Sequence, residues 1–390
     1  MSQAYIVAAT RTAGGRKGGR LAGWHPADLM GQVLDALIER THADPALVED
    51  VILGCVGQAG EQANNVARNA VLSSHLPESV PATSVDRQCG SSQQALHFAA
   101  ATVISGQMDI VIAGGVESMT RVPMGSPAVL AAEKGLGRSF SPAMQGRYPG
   151  VQFSQFAGAE MVAEKYGFSR EQLDAFAYGS QRKAIAATQS GAFDAEIVPI
   201  KVASTDDLRD EHTVDEGIRF DVTLEGIASV RLLRDGGRIT AASSSQICDG
   251  ASGIMIVNDA GLKTLGVEPL ARIHSMTVTG GDPFIMLEEP LFATDKALRR
   301  CGLKIDDVDL YEVNEAFASI PMAWLKHTGA DPERLNVHGG AISLGHPLGA
   351  TGTKLMATLV HALRRRKKRW GLQTMCEGGG LANVTIIERL

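Results

Sequence analysis

The sequence predicts an α/β protein built by duplication, with one long insertion inside its first half. Three observations carry this reading. Short β-branched apolar runs alternate with longer amphipathic stretches, one segment recurs at matching spacing in both halves, and 43 of the 390 residues are glycine, about 11% where about 7% is usual. The length allows two or three domains and a large buried core.

Strands are expected at residues 4–9, 51–56, 108–113, 270–275, 308–313 and 372–375, where apolar runs bounded by glycine suit strands buried on both faces. Helices are expected at 27–39, 91–104, 293–301 and 351–363, because apolar residues there return every three or four positions, as in Leu96, Ala99 and Val103. The duplication is read from Glu49-Asp50-Val51 against Asp306-Asp307-Val308. Cys89 follows Val51 by 38 residues and His346 follows Val308 by 38. On this register Cys89 and His346 stand at equivalent helix N-termini, and the basic run 364–369 (RRRKKR) is a loop insertion that shifts the repeat by a few residues. Residues 1–119 with 241–265 then form the first half and residues 266–390 the second. The Gly-, Ser- and Pro-rich stretch 120–240 is read as an inserted binding domain.

Composition narrows the function. A net charge of −6 and a pI near 6.0 give no chain-wide attraction to nucleic acid or an acidic membrane surface. Residues 364–369 are read as the solvated end of a helix, where cations suit the dipole. No run approaches the ~18 apolar residues of a membrane span, and residues 1–12 lack the charge pattern of a signal peptide. Five cysteines without a C-x-x-C pair point to reduced thiols in the cytoplasm and away from a zinc site. Phosphate-loop, dinucleotide, zincin and serine-hydrolase motifs are all missing.

Four places carry chemistry. Cys89, in Gln88-Cys89-Gly90-Ser91-Ser92, sits where an extended segment turns into a helix, and free N–H groups there favour a thiolate and can hold an oxyanion. His346, in Gly345-His346-Pro347-Leu348-Gly349, is open to a bound molecule and can deprotonate a thiol near neutral pH. Cys376, before Gly378-Gly379-Gly380, lies at a strand's C-terminal end, where α/β folds gather ligands, and can act as acid or base. Asn314 either holds a substrate-bonded water or caps the next helix. Cys55, Cys248 and Cys301 are read as structural.

With C-G-S-S at 89, N-E-A-F-A at 314, G-G-A-I-S-L-G-H-P-L-G at 339 and M-C-E-G-G-G at 375, the chain resembles the thiolase family over its whole length. The resemblance implies a duplicated five-layer αβαβα core with an inserted loop domain. It also implies roles: Cys89 as acyl-accepting nucleophile, His346 as its activating base and oxyanion donor, Cys376 as second acid/base, and Asn314 as water-holder of one oxyanion hole. The N–H groups of Cys89 and Gly378 form the other hole. Coenzyme A would be a co-substrate, with no permanently bound cofactor and no metal, and it would contact Ser245 and Arg219 of the inserted domain. The implied reaction is thiolytic cleavage of a 3-ketoacyl-CoA, and the alternatives are biosynthetic acetoacetyl-CoA formation or non-catalytic acyl-CoA binding. A homo-oligomer, dimer or tetramer, and a β-oxidation partner enzyme belong to the same expectation.

Departures bear on substrate. Short-chain members carry a His-Met-Gly stretch where this chain has Phe156-Ala157-Gly158, so Ala157 is expected to make room for acyl groups larger than acetyl. Glu377 and His338 replace the family's more usual apolar residue and asparagine.

Overall fold

The computed structural model describes residues 2–202 and 210–390. The first half contributes β1 (Tyr5–Thr12), α1 (Pro26–Thr41), β2 (Asp50–Gly54), α2 (Val66–Leu72), β3 (Ala82–Val85), α3 (Ser91–Ser105) and β4 (Ile110–Ser118). A long excursion containing α4 (Gln155–Lys165) and α5 (Arg170–Gln189) follows, and the chain then returns as β5 (Cys248–Val257). The second half contributes β6 (Ala271–Gly280), α6 (Glu289–Cys301), β7 (Leu310–Val313), α7 (Ser319–Thr328), α8 (Thr351–Arg366), β8 (Trp370–Glu377) and β9 (Leu381–Glu388).

The strands run in the order β3-β2-β4-β5-β1 in the first half and β7-β8-β9-β6 in the second. In each half the strands preceding the central helix run parallel, and the last-formed strand returns antiparallel. The two sheets join where β1 meets β6 antiparallel, Ile6 opposite Ala271. The second half's counterpart of β3 is reduced to one parallel bridge, Tyr311 with Leu335. Helices α1 and α2 cover one sheet, α6 covers the other, and α3 and α8 lie between them, giving five layers. Strands β4 and β5 are buried along their whole length, as their two-sided apolar runs require. The middle layer is filled by Leu96 and Val103 of α3, Met356 and Val360 of α8, and Ile254 and Ile387 from the two sheets.

The repeat is real, but its register differs from the sequence reading. The 3-10 turns Pro45–Leu47 and Ile305–Asp307, the helix starts Ser91 and Thr351 and the strand starts Ile110 and Trp370 recur at a constant offset of 260 residues. Val308 therefore answers Val48, and the structural counterpart of Cys89 is Gly349. His346 lies three residues earlier, on the turn that leads into α8. The acidic-then-apolar pattern occurs twice within a few residues around Val48 and Val51, which made the wrong pairing attractive. No insertion is needed at residues 364–369. That run is exposed throughout: Arg364–Arg366 form the last turn of α8, where cations suit the helix C-terminus, Lys367 is its left-handed cap, and Lys368 and Arg369 lead into β8.

The excursion is locked to the core by buried charge. The Arg11 guanidinium of β1 donates to Glu196 (2.6 Å) and to both oxygens of Asp215 (2.8 and 3.1 Å). The two-residue strand Ile197–Val198 pairs parallel with the end of β1. A buried carboxylate without its cation would be far less stable, so this triad fixes the inserted segment against the strand that starts the fold.

The middle layer also holds a buried histidine. His97 of α3 meets the Thr385 hydroxyl of β9 at 2.7 Å, and that hydroxyl already accepts from Gln93 (2.8 Å). That hydroxyl keeps both a proton and a second lone pair for the His97 ring, so it satisfies a neutral imidazole in either tautomer. Burial lowers the His97 pKa to about 3, with Arg87 nearby adding to the effect. A folded pKa below the unfolded value near 6.5 means stability that is present above pH 6.5 and lost as pH falls toward the folded pKa. His97→Gln is expected to cost stability at pH 7.5, and its gap to the parent should shrink by up to about 2 kcal/mol by pH 5. Urea unfolding of both proteins across that range checks this, and a gap independent of pH would refute it.

Candidate active site

Cys89 sits on a tight elbow between β3 and α3. Gln88 is held in the left-handed region at φ 49°, a conformation that costs of order 1 kcal/mol or more and persists only where its surroundings enforce it. Asp86 accepts from the Gln88 N–H (2.7 Å), and the Ser91 hydroxyl accepts from the Arg87 N–H (2.9 Å) while donating to the Gln88 carbonyl (2.6 Å). The thiol thus stands just before the N-cap of α3, Gly90. The backbone N–H groups of Cys89 and Gly378 bond to no carbonyl, and both residues line one cavity.

His346 is buried (3% exposed). Its N–H bonds the Gln246 carbonyl at 3.1 Å, and Lys354 of α8 donates to the carbonyls of Leu344 and Gly345 just before it. The ring's tautomer follows from its partners. The Thr351 hydroxyl donates to the Pro347 carbonyl (2.9 Å), so at 2.6 Å it can only accept from His346 Nδ1–H. Nε2 is left as the basic nitrogen, 3.4 Å from the Asn314 amide nitrogen. Asn314 directly follows β7 and does not cap α7, whose N-cap is Ala318. Its Oδ1 is buried without a partner.

Glu117, at the end of β4, ties these loops together. Its carboxylate accepts from the N–H groups of Val56, Gly57 and Gly349 (each 2.9 Å) and from the Gln62 amide (2.8 Å). The sequence reading missed it, as it missed Thr351. Both are ordinary residue types whose task becomes visible only when distant loops meet.

Electrostatics leave both partners neutral at rest. Burial pushes the Cys89 thiol up to about 12, with Glu377, Glu117 and Asp86 adding to the effect and the residue's own N–H opposing it. The lowering expected from the helix N-terminus is therefore outweighed by burial. Burial also lowers His346 to about 3, Lys354 contributing. Cys376 is fully buried and held well above an ordinary thiol, first by burial and then by the charge of Cys89, which places the two sulfurs within electrostatic reach of each other.

Three cavities follow one another. That at Cys89, about 590 Å³, is walled by Met119, Val122, Phe140, Met144, Phe153 and Met286. The next, about 470 Å³, carries His346, Ser245 and Phe156 and shares Met119 and Leu348 with the first. A third, about 410 Å³, lies within the inserted segment around Thr223 and Val230 and shares the exposed Arg219 with the second. Ala157 lines none of them, whereas its neighbours Gln155 and Phe156 do. His338 also lies outside them, its ring edge-on to Phe193 at 5.7 Å. Cys55, Cys248 and Cys301 are unpaired thiols away from these walls. Among the described residues no cluster of potential ligands could hold a metal ion, and no helix is long and apolar enough to cross a membrane.

The comparisons with known proteins agree with this arrangement. The family model described as the thiolase N-terminal domain matches residues 4–260, and that of the thiolase C-terminal domain matches residues 267–389. The chain belongs to the thiolase family and is an acyltransferase. Among its relatives, a protein named Steroid 3-ketoacyl-CoA thiolase FadA6 from Mycobacterium tuberculosis is 47% identical over all of this chain and 95% of its own length. Proteins named 3-ketoacyl-CoA thiolase from Aliivibrio salmonicida and Citrobacter koseri are 42% and 40% identical over the full length of both chains.

The tautomer argument has a direct consequence. Thr351→Val removes the hydroxyl that accepts from His346 Nδ1–H while keeping the buried shape. The variant is expected to lower kcat by roughly tenfold or more, part of the 10²–10⁴-fold that a positioned base supplies, with KM little changed. Steady-state kinetics check this, and an unaltered kcat would refute the assignment.

Proposed function

We propose that the chain cleaves 3-ketoacyl-CoA by thiolysis, through an acyl thioester on Cys89. The observation that carries the reading is that adjoining cavities hold the Cys89 thiol, a histidine with a bare Nε2 and two backbone N–H groups that bond to no carbonyl among the described residues, with the buried Cys376 thiol within electrostatic reach of Cys89. His346 takes the Cys89 proton, and the thiolate attacks the keto carbon. The bond to the α-carbon breaks, and the leaving enolate of acetyl-CoA is stabilised by the protonated His346 and by a water on the Asn314 amide. Cys376 protonates the enolate carbon. Free CoA then gives its thiol proton to Cys376, attacks the thioester and releases the shortened acyl-CoA, with the Cys89 and Gly378 N–H groups holding the oxyanion. No metal or resident cofactor takes part.

Coenzyme A lies along this run of cavities, its pantetheine arm past Ser245 and its nucleotide end near Arg219, which the second and third cavities share. The acyl group occupies the cavity at Cys89, whose methionine- and phenylalanine-rich wall is apolar and far larger than acetyl requires. The substrate class is therefore a bulky or long apolar 3-ketoacyl-CoA, in line with the relative named for steroid substrates. Unpaired cysteines suit a reducing, cytoplasmic setting, and assembly into a dimer or tetramer accords with the family.

Two measurements test this. Cys89→Ala should abolish consumption of a 3-ketoacyl-CoA in the presence of CoA, a loss of at least about 10³-fold. In a substrate series, kcat/KM should rise at least about tenfold from acetoacetyl-CoA to longer or branched 3-ketoacyl-CoAs, since each buried methylene contributes about 0.8 kcal/mol. A preference for acetoacetyl-CoA would favour the biosynthetic alternative instead.

A further inference from the structure

The 260-residue offset that relates the halves pairs Glu377, at the end of β8, with Glu117, near the end of β4. Both carboxyls are buried against the N-terminal approach of a central helix. Glu117 lies against Gly349 before α8, and Glu377 against Gly90 at the start of α3, where an added Cβ would come within 2.0 Å of Glu377 Oε1. Their partners differ sharply. Glu117 receives three backbone N–H groups, the Gln62 amide and the Cys55 thiol. Glu377 Oε1 receives the Asn383 amide at 2.8 Å, with the amide turned so that its oxygen accepts from Gln94 N–H, and Oε2 is buried with no hydrogen-bond partner among the described residues. One of the pair is a saturated anchor. The other, fully buried beside the nucleophile's own turn, lacks the donors that would hold its charge.

We propose that Glu377 is a positioning residue that switches Cys89: with its carboxyl protonated it leaves the thiol free to ionise, and with that proton lost to solvent it holds the thiol neutral. The inference rests on the reading of Cys89 as the acyl acceptor. Glu377 is closed off from the cavities and touches no substrate, so it acts only through the neighbouring thiol. The charged or titratable groups around it are Arg87 on the turn before α3, Cys89 at the start of that helix and Cys376 beside it on β8, while Asn383 of β9 and Gln94 of α3 are neutral. Glu117 and Asp86 bear on the same thiol. Burial raises the Glu377 carboxyl to about 8, against the opposing pull of Arg87 and the Asn383 backbone N–H, which puts the switch in the mildly alkaline range.

The test is the pH dependence of Cys89 alkylation by iodoacetamide, read by mass spectrometry on the peptide that contains Cys89. Glu377→Gln keeps an acceptor for Asn383 and removes the charge. The rate ratio of variant to parent should be near one at pH 6.5 and rise to about tenfold by pH 9, equivalent to a change of one unit in the thiol's pKa. A ratio that stays constant over that range would mean a purely structural role and overturn the proposal. Should Glu377→Gln fail to fold, Arg87→Gln offers the second route. Loss of that cation should move the bend in the alkylation profile to higher pH, and an unmoved bend would overturn the proposal equally. Alkylation needs no substrate, so a Cys89→Ala variant that retained turnover would sink the acyl-acceptor reading without touching this measurement.

Discussion

Everything at the site depends on how closely two helix N-termini can approach across the joint between the halves. A Cβ on Gly352 would lie 2.1 Å from the Gln93 nitrogen, one on Gly54 2.3 Å from the Ser92 nitrogen, and one on Gly115 2.1 Å from the Gly349 carbonyl oxygen. None of these contacts can relax by moving a flexible side chain, because backbone atoms lie on the far side. Glycine at these points lets α3 and α8 converge, and with them the cysteine elbow and the histidine loop. Two positive helix ends then face one small volume, which favours the negative charge that develops on an enolate or a tetrahedral oxyanion.

Closeness has an electrostatic counterpart. Burying a thiol and an imidazole together leaves both neutral, so the ion pair is formed only as a proton moves between them. A preformed thiolate would be more nucleophilic at rest, but in a dry site it would need a charge partner that the loops do not supply. The site instead fixes geometry: Thr351 sets the imidazole's tautomer, Lys354 holds the carbonyls ahead of it, and Glu117 ties the Val56–Gly57 loop to the Gly349 loop by their N–H groups. These groups need not touch substrate to matter, because a displacement of the base by a fraction of an ångström weakens proton transfer.

Duplication explains why the two halves look alike and act differently. The same strand-end position holds glutamate in both, saturated with donors in one half and starved of them in the other. The same helix-start position holds Gly349 in one half and Cys89 in the other. A symmetric scaffold thus supplies an asymmetric site by changing a few side chains at equivalent places. The inserted segment, locked to β1 through Arg11, shares the walls of the cavities with both halves.

The sequence by itself determined the alternation of strands and helices and the duplicated α/β class, because local periodicity, turn chemistry and short motifs are written in neighbouring residues. It placed Cys89, Asn314, His346 and Cys376 without reference to one another; the structure sets Cys89 and His346 on the walls of adjoining cavities and leaves Asn314, beside His346, and Cys376 buried behind them. Tertiary structure alone decided the offset of 260 residues, since helix starts and not similar tripeptides define the repeat. It also left Ala157 off the walls of the three cavities, while its neighbours Gln155 and Phe156 line them. Only there do Thr351, Glu117 and Glu377 gain meaning, because a hydrogen-bond partner or a missing one is a relation between residues that the chain keeps far apart until it folds.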